Sequence, residues 1–304
     1  MAPTPTRAAA LTVSPRARLR ELLGSGELIT APGVFDGISA SLAARLGFSA
    51  AYLTGAGTAA AGFGLPDIGL VSQTEMVERV RMVTGVLGDI PLIADADSGY
   101  GAPLNVVRTV REYERAGVAG LHLEDQAFPK RCGHLPDKEL VTPAAYLDTL
   151  HAALDARTDP DLVIIARTDA RGPLGLDAAI ERANTYAEAG ADVLFVEAPQ
   201  DAAEIERISR EVSAPLLINM VQGGLTPDTP AERLAALGFR IAIHPTACVA
   251  AAAAAMVRSL AELRGVDTSE LIPRTPADLF SLVGLREWSE LGERYRSGGQ
   301  EASA

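Results

Sequence analysis

A chain of 304 residues with 48% hydrophobic and 22% charged positions has the length of one large or two ordinary domains and too much apolar content for general disorder. Lys and Arg number 27 against 39 Asp and Glu, a formal charge of -12, which argues against a clustered basic groove and hence against a nucleic-acid partner. Cys132 and Cys248 are too few for a disulfide framework and suit a cytoplasmic, reducing compartment. No apolar run approaches the roughly 20 residues of a bilayer span, so no membrane partner is expected.

In chain order, the first 20 residues carry four Arg and no acid. That composition suits an N-terminal arm over 1–24, and targeting peptides share it. Short apolar runs follow at 29–35, 49–55, 90–97, 120–125, 162–169, 192–199, 215–220 and 240–245. They are too apolar for half-exposed strands and read as parallel strands buried on both faces. Between them, stretches at 75–86, 105–116, 143–156, 176–189, 202–212 and 229–236 repeat apolar residues at helical spacing. Gly117, Gly190 and Gly238 stand where three of these helices should stop, since glycine accepts the left-handed conformation of a helix terminus. The closing residues SGGQEASA read as a tail.

Eight apolar runs alternating with helices is the count of a (β/α)8 TIM barrel over 25–264, followed by a helical segment and tail over 265–304. A doubly wound open sheet is the competing α/β arrangement. It would often carry a glycine-rich phosphate turn after an early strand, and GAGTAAAG at 55–62 does not match that pattern.

A barrel places its reactive groups at the C-terminal ends of its strands. Those ends carry Tyr52 and Thr54, Asp95 and Asp97, Glu124 and Asp125, Arg167 and Asp169, then Glu197, Asn219 and His244. Any one of the acids could cap the following helix; acids and Arg at several ends together signal a polar site. Period-two alternation puts Asp95 and Asp97 on one side of a strand, with Glu124 ending the next. Oxygen donors without an obvious His or thiolate suit a hard cation, Mg2+ or Mn2+; the alternative is a carboxylate cluster neutralised by Arg167. In the segment Lys130-Arg131-Cys132-Gly133-His134 the flanking cations should favour a thiolate, and Gly133 permits a tight turn. Cys248, in an Ala-rich run, reads as an inert core thiol.

With KRCGH and the following LPDKELV, DADSGYG, GLHLEDQ, ARTDA and NMVQGG, the chain resembles the isocitrate lyase/phosphoenolpyruvate mutase superfamily from about Gly33 to Tyr295. It is most similar to the short-chain branch that holds 2-methylisocitrate lyase, dimethylmalate lyase and carboxyphosphonoenolpyruvate phosphonomutase. The resemblance implies Mg2+ held by Asp95 and Asp97, with Asp67 and Glu124 in support. It implies a 2-oxo or 2-hydroxy acid carboxylate seated on Thr54, Gly55 and Ala56, with Gly133, Glu197, Asn219 and Gln222 also at the substrate. Arg167 would bind the oxygen that becomes the ketone, Tyr52 would take or relay the hydroxyl proton, and Cys132, near His134 on a gating loop, would protonate the departing carbanion. It also implies a homotetramer whose eighth helix packs on a neighbouring subunit, with 280–295 as the terminal helical segment.

The expected activity is a Mg2+-dependent carbon–carbon lyase cleaving a substituted malate or isocitrate-like acid of the 2-methylisocitrate type to a 2-oxo acid and a second acid. Same-family alternatives are a phosphonomutase and an oxaloacetate-type hydrolase or decarboxylase; a non-catalytic metabolite-binding relative is the alternative of another class. Relative to the family pattern, Thr54 replaces Ser, Gln222 replaces Glu, and His244 stands before Pro245 in place of Tyr.

Overall fold

Alternation along each apolar run decides which side chains meet inside. The computed structural model, which describes residues 13–297, folds these runs into a closed barrel of eight parallel strands in the order β1 to β8. The strands are β1 (Ile29–Val34), β2 (Ala51–Leu53), β3 (Leu92–Asp95), β4 (Gly120–Glu124), β5 (Val163–Thr168), β6 (Val193–Val196), β7 (Leu216–Asn219) and β8 (Phe239–His244). Each lies inside or within a residue of the run that foretold it. Closure by pairing β1 with β8 leaves no open sheet and disposes of the doubly wound alternative.

The helices are α1 (Pro15–Ser25), α2 (Gly37–Arg45), α3 (Gly55–Thr58), α4 (Gln73–Leu87), α5 (Pro103–Ala116), α6 (Pro143–Ala156), α7 (Arg171–Leu174), α8 (Leu176–Glu188), α9 (Ala202–Glu211), α10 (Ala231–Ala236), α11 (Ala247–Arg264), α12 (Pro276–Ser281) and α13 (Leu285–Ser297). Local signals set their ends. Ser72 and Glu75 form a reciprocal capping box that starts α4. Gly117, at φ 98°, ends α5 in the left-handed conformation.

Two buried layers result. Strand side chains facing outward, such as Leu53, Ala94, Leu121, Ile164 and Leu194, pack against the helices. Those facing inward, including Tyr52, Ile93, Ile165, Phe195, Leu217 and Ile243, fill the barrel. Leu19 of α1 joins the inner layer from below and is fully buried. Arg16 pairs with Asp159 at 2.8 Å, and Arg20 with Asp192 at 2.7 Å.

The reading of 1–24 as an arm therefore needs correction: 15–25 form a helix closing the bottom of the barrel. Its cations looked unpaired in sequence because their acids lie far along the chain. The remaining arm residues 1–12, with any targeting role, and the tail from 298 lie outside the described residues. Among the described residues no helix is long and apolar enough to cross a membrane.

Candidate functional site

Register and period two assemble the site. Asp95 pairs with His122 across β3 and β4, and Glu124 pairs with Arg167 across β4 and β5. The same alternation that points Ile93, Ile165, Phe195 and Leu217 inward points Asp95, Arg167, Glu197 and Asn219 inward two residues later, at the C-terminal mouth. The set is buried: Glu197 is 0% exposed, Glu124 2% and Arg167 7%.

Arg167 is held by a bidentate pair to Asp169, Nε to Oδ2 at 2.8 Å and Nη2 to Oδ1 at 3.0 Å. Its Nη1 lies 3.3 Å from Glu124, and its guanidinium stacks 5.1 Å from the Phe195 ring centroid. Asp169 is braced through its backbone N–H to Asp125, whose carboxylate also accepts from Thr168, Arg182 and Tyr186. Asp125 is thus a scaffold residue below the site.

Tyr52 OH lies 2.7 Å from His122 Nε2, with the two rings stacked. Burial drives the His122 pKa down to about 4, so the ring is neutral at neutral pH. Burial, reinforced by Asp95, pushes the Tyr52 phenol well above its ordinary value. His122 was not singled out from sequence, although it sits two residues before Glu124 on the same face, a position that alternation marks as inward.

Lys130 was also passed over as a site residue. Its ammonium bridges Asp67 and Asp97, lying 2.6 Å from Asp97 Oδ1, and it is only 3% exposed. Among the described residues no His, Cys, Asp and Glu side chains converge as a ready metal centre. Lys130 supplies one positive charge between Asp97 and Asp67, and Asp95 Oδ1 accepts the Asp97 backbone N–H at 3.0 Å. Arg167, the alternative neutraliser weighed from sequence, pairs with Glu124 and Asp169. Burial and the neighbouring Asp95 and Asp67 still raise the Asp97 pKa to about 7 against the pull of Lys130. Glu124 Oε1 is buried with no hydrogen-bond partner. A cluster of oxygen donors short of positive charge, with an orphaned carboxylate oxygen, fits a hard dication.

Residues 127–141 form the loop over this mouth. Its base is fixed by an antiparallel bridge between Gln126 and Leu140, and the Gln126 side chain bonds both backbone groups of Arg131. Cys132 N donates to Asp67 O at 3.1 Å. His134 Nδ1 accepts the Leu225 N–H at 2.9 Å, so its ring proton sits on Nε2, 3.0 Å from Glu197. Gly133 presses onto the acids below, where a Cβ would stand 2.6 Å from Glu197 Cγ. The expected thiolate does not form: burial, with Asp67 close by, pushes the Cys132 pKa up to about 12, outweighing the neighbouring cations. The thiol is held protonated, as a proton donor must be.

The enclosed cavity is about 30 Å³ and is lined by Tyr52, Thr54, Asp95, Cys132, Arg167 and Asn219, among others. Pro276 and Phe280 of α12 close it from above. That is room for about a water or two, whereas a benzene-sized ligand takes on the order of 150 Å³. The loop and α12 thus leave little free space at the mouth.

Of the residues read as substrate contacts, Thr54, Ala56, Gly133 and Asn219 line this cavity. Gly55 lies beneath, with space for a Cβ removed by Asp95 Oδ2 at 2.5 Å. Two others lie off its lining. Glu197 is fully buried and accepts from Asn219 at 3.2 Å, acting as the seat of His134. Gln222 is exposed, because Val221 turns into the cavity and the following residue turns out.

This architecture has relatives. Residues 19–264 match the family model described as phosphoenolpyruvate phosphomutase. A 2,3-dimethylmalate lyase from Eubacterium barkeri is 44% identical over 285 residues, covering 93% of this chain and 98% of that protein. The chain belongs to the phosphoenolpyruvate mutase/isocitrate lyase superfamily. Within the superfamily, the structure of an oxaloacetate acetylhydrolase bound to 3,3-difluorooxalacetate superposes with a TM-score of 0.81 at 41% identity, covering 93% of this chain and 98% of that one. A phosphonopyruvate hydrolase complexed with oxalate and Mg2+ superposes with a TM-score of 0.73 at 30% identity, covering 95% and 99%.

Proposed function

We propose that this superfamily member is a Mg2+-dependent carbon–carbon lyase that cleaves an alkyl-substituted malate or isocitrate-like acid, of the 2-methylisocitrate type, to a 2-oxo acid and a second carboxylic acid. The observation that carries this reading is the placement of the Cys132 side chain on the wall of one small cavity shared with Arg167 and Tyr52. Cleavage leaves the bonding electrons on the departing carbon, which needs a proton. The hydroxyl that becomes the ketone must lose one.

Tyr52 relays the hydroxyl proton to the His122 ring through their 2.7 Å bond, and Asp95, 3.6 Å from that ring, offsets the charge the ring gains against the cost of burial. Arg167, rigid on Asp169 and Phe195, stabilises charge on the oxygen becoming the ketone. Cys132 protonates the departing carbon, and the carboxylate of the 2-oxo acid rests on Thr54, Gly55 and Ala56. Asp95 and Asp97 would hold Mg2+ (Mn2+ being the substitute), with Asp67 and Glu124 in support. When bound, the ion supplies Lewis-acid stabilisation of the same developing charge. The Mg2+ in the phosphonopyruvate hydrolase complex supports this assignment.

We further propose a homotetramer with α11 packed on a neighbour. Ile38 and Leu42 on α2, Leu46 at its C-cap, and Met256, Leu260 and Leu263 on α11 are exposed apolar residues at helical spacing. Sedimentation of the purified protein tests it, a monomer overturning the assembly.

Similarity to the oxaloacetate acetylhydrolase favours a second reading, hydrolysis of a 2-oxo diacid in the same cavity. Purified protein with Mg2+ is incubated with 2-methylisocitrate, isocitrate, 2,3-dimethylmalate and oxaloacetate, and the products are identified. A 2-oxo acid released from a hydroxy acid supports the lyase. Oxalate from oxaloacetate alone supports the hydrolase, and turnover of none overturns both.

A further inference from the structure

Lys138 lies at the foot of the 127–141 loop, buried to 9% exposure, and its ammonium touches two things at once. It donates to the Gly133 carbonyl, beside the tip of the loop, and to Asp169 Oδ1 at 3.0 Å. The same Oδ1 accepts from Arg167 Nη2 at 3.0 Å. Asp169 cannot drift with the loop, since its backbone N–H is fixed to Asp125 at 2.9 Å. One ammonium thus ties the loop backbone beside Cys132 to the counterion of Arg167.

We propose that Lys138 is a positioning residue that latches the loop closed and registers Cys132 against Arg167 through Gly133 and Asp169. This rests on reading 127–141 as the gating loop of the proposed lyase. In the closed form the Gly133 carbonyl is within reach of the Lys138 ammonium, and Gly133 lies flat on Arg167. When the loop lifts, that carbonyl leaves and only the Asp169 contact remains. A lysine suits the task because its tetrahedral ammonium donates in three directions, whereas the planar guanidinium of arginine cannot serve the same two acceptors from the same place. Asp169 carries the other half of the device. Burial works against its charge, but Arg167 and Lys138 hold its carboxyl far below the ordinary range.

The rival account is that Lys138 only neutralises Asp169. Alkylation of the two cysteines by iodoacetamide, followed by peptide mass spectrometry, separates the accounts without requiring turnover. Cys248 is half-buried on α11, outside the loop and its latch, so it serves as the internal control for global unfolding. In Lys138→Met the latch predicts Cys132 alkylation faster by about 10-fold or more with Cys248 unchanged. On a substrate identified as above, kcat falls by at least that factor while KM moves by less than about threefold. Unchanged Cys132 reactivity overturns the latch. If both cysteines accelerate, the Met variant has lost its fold and Lys138→Arg decides. A latch predicts faster alkylation of Cys132 alone there too, and charge neutralisation predicts wild-type reactivity. Failure of every acid to turn over would overturn the lyase reading while leaving the alkylation result to judge Lys138.

Discussion

Gly133 packs so closely on Arg167 that a Cβ at that position would stand 2.5 Å from Nη2. Arg167 cannot yield, being clamped by Asp169 and stacked on Phe195. Gly133→Ala should therefore keep the loop from seating. Misplacement of about 1 Å costs about 100-fold in rate, and kcat/KM should fall by that order with the circular dichroism spectrum unchanged. An alanine enzyme as active as wild type would show that the closed loop is not the reactive form.

Cys132→Ser nearly preserves size and replaces the thiol with a far weaker acid. Turnover should fall by about 100-fold or more, within the range for general-acid catalysis. Cys248→Ser should leave rates within about twofold, as expected for a substitution outside the site. Parallel steady-state assays of the two variants decide between a chemical and a packing role for Cys132.

Added Mg2+ should raise the thermal midpoint of the wild-type protein, because a ligand bound only by the folded state stabilises it. Asp97→Ala should abolish that rise. Turnover should cease in excess chelator and return with Mg2+. A melting curve indifferent to Mg2+, together with full activity in chelator, would remove the ion from the site.

Gln222 faces solvent, so restoring the Glu expected from the family pattern should matter little. Gln222→Glu should leave stability within about 0.5 kcal/mol, as exposed substitutions do, and should leave kcat/KM near the wild-type value. A larger change confined to one of two acids differing by a carboxylate would mean that Gln222 swings inward when substrate binds.

Leu19→Ala removes a fully buried side chain from the floor of the barrel. Leu-to-Ala changes in cores cost about 2–5 kcal/mol, and urea unfolding should show a loss in that range. A loss below about 1 kcal/mol would mean that α1 contributes little to closing the barrel.

The sequence by itself determined the strands, most of the outer helices and the acids at the barrel mouth. These depend on short-range periodicity: alternation fixes which strand residues share a face, and glycines mark where helices stop. Asp95, Glu124 and Arg167 were legible for that reason, and His122 should have been, since it obeys the same alternation. Helix α1 was not legible, because Leu19 finds its apolar surroundings and Arg20 its acid only across the closed barrel. Tertiary structure alone decided the charge pairing and the fate of the loop. Lys130 meets Asp67 from 63 residues away, and His134 meets Leu225 from 91. No spacing rule encodes such contacts. The Cys132 thiol shows the physical reason: its neighbours in sequence are cations, but its ionisation is governed by the burial and the Asp67 carboxylate that folding brings to it.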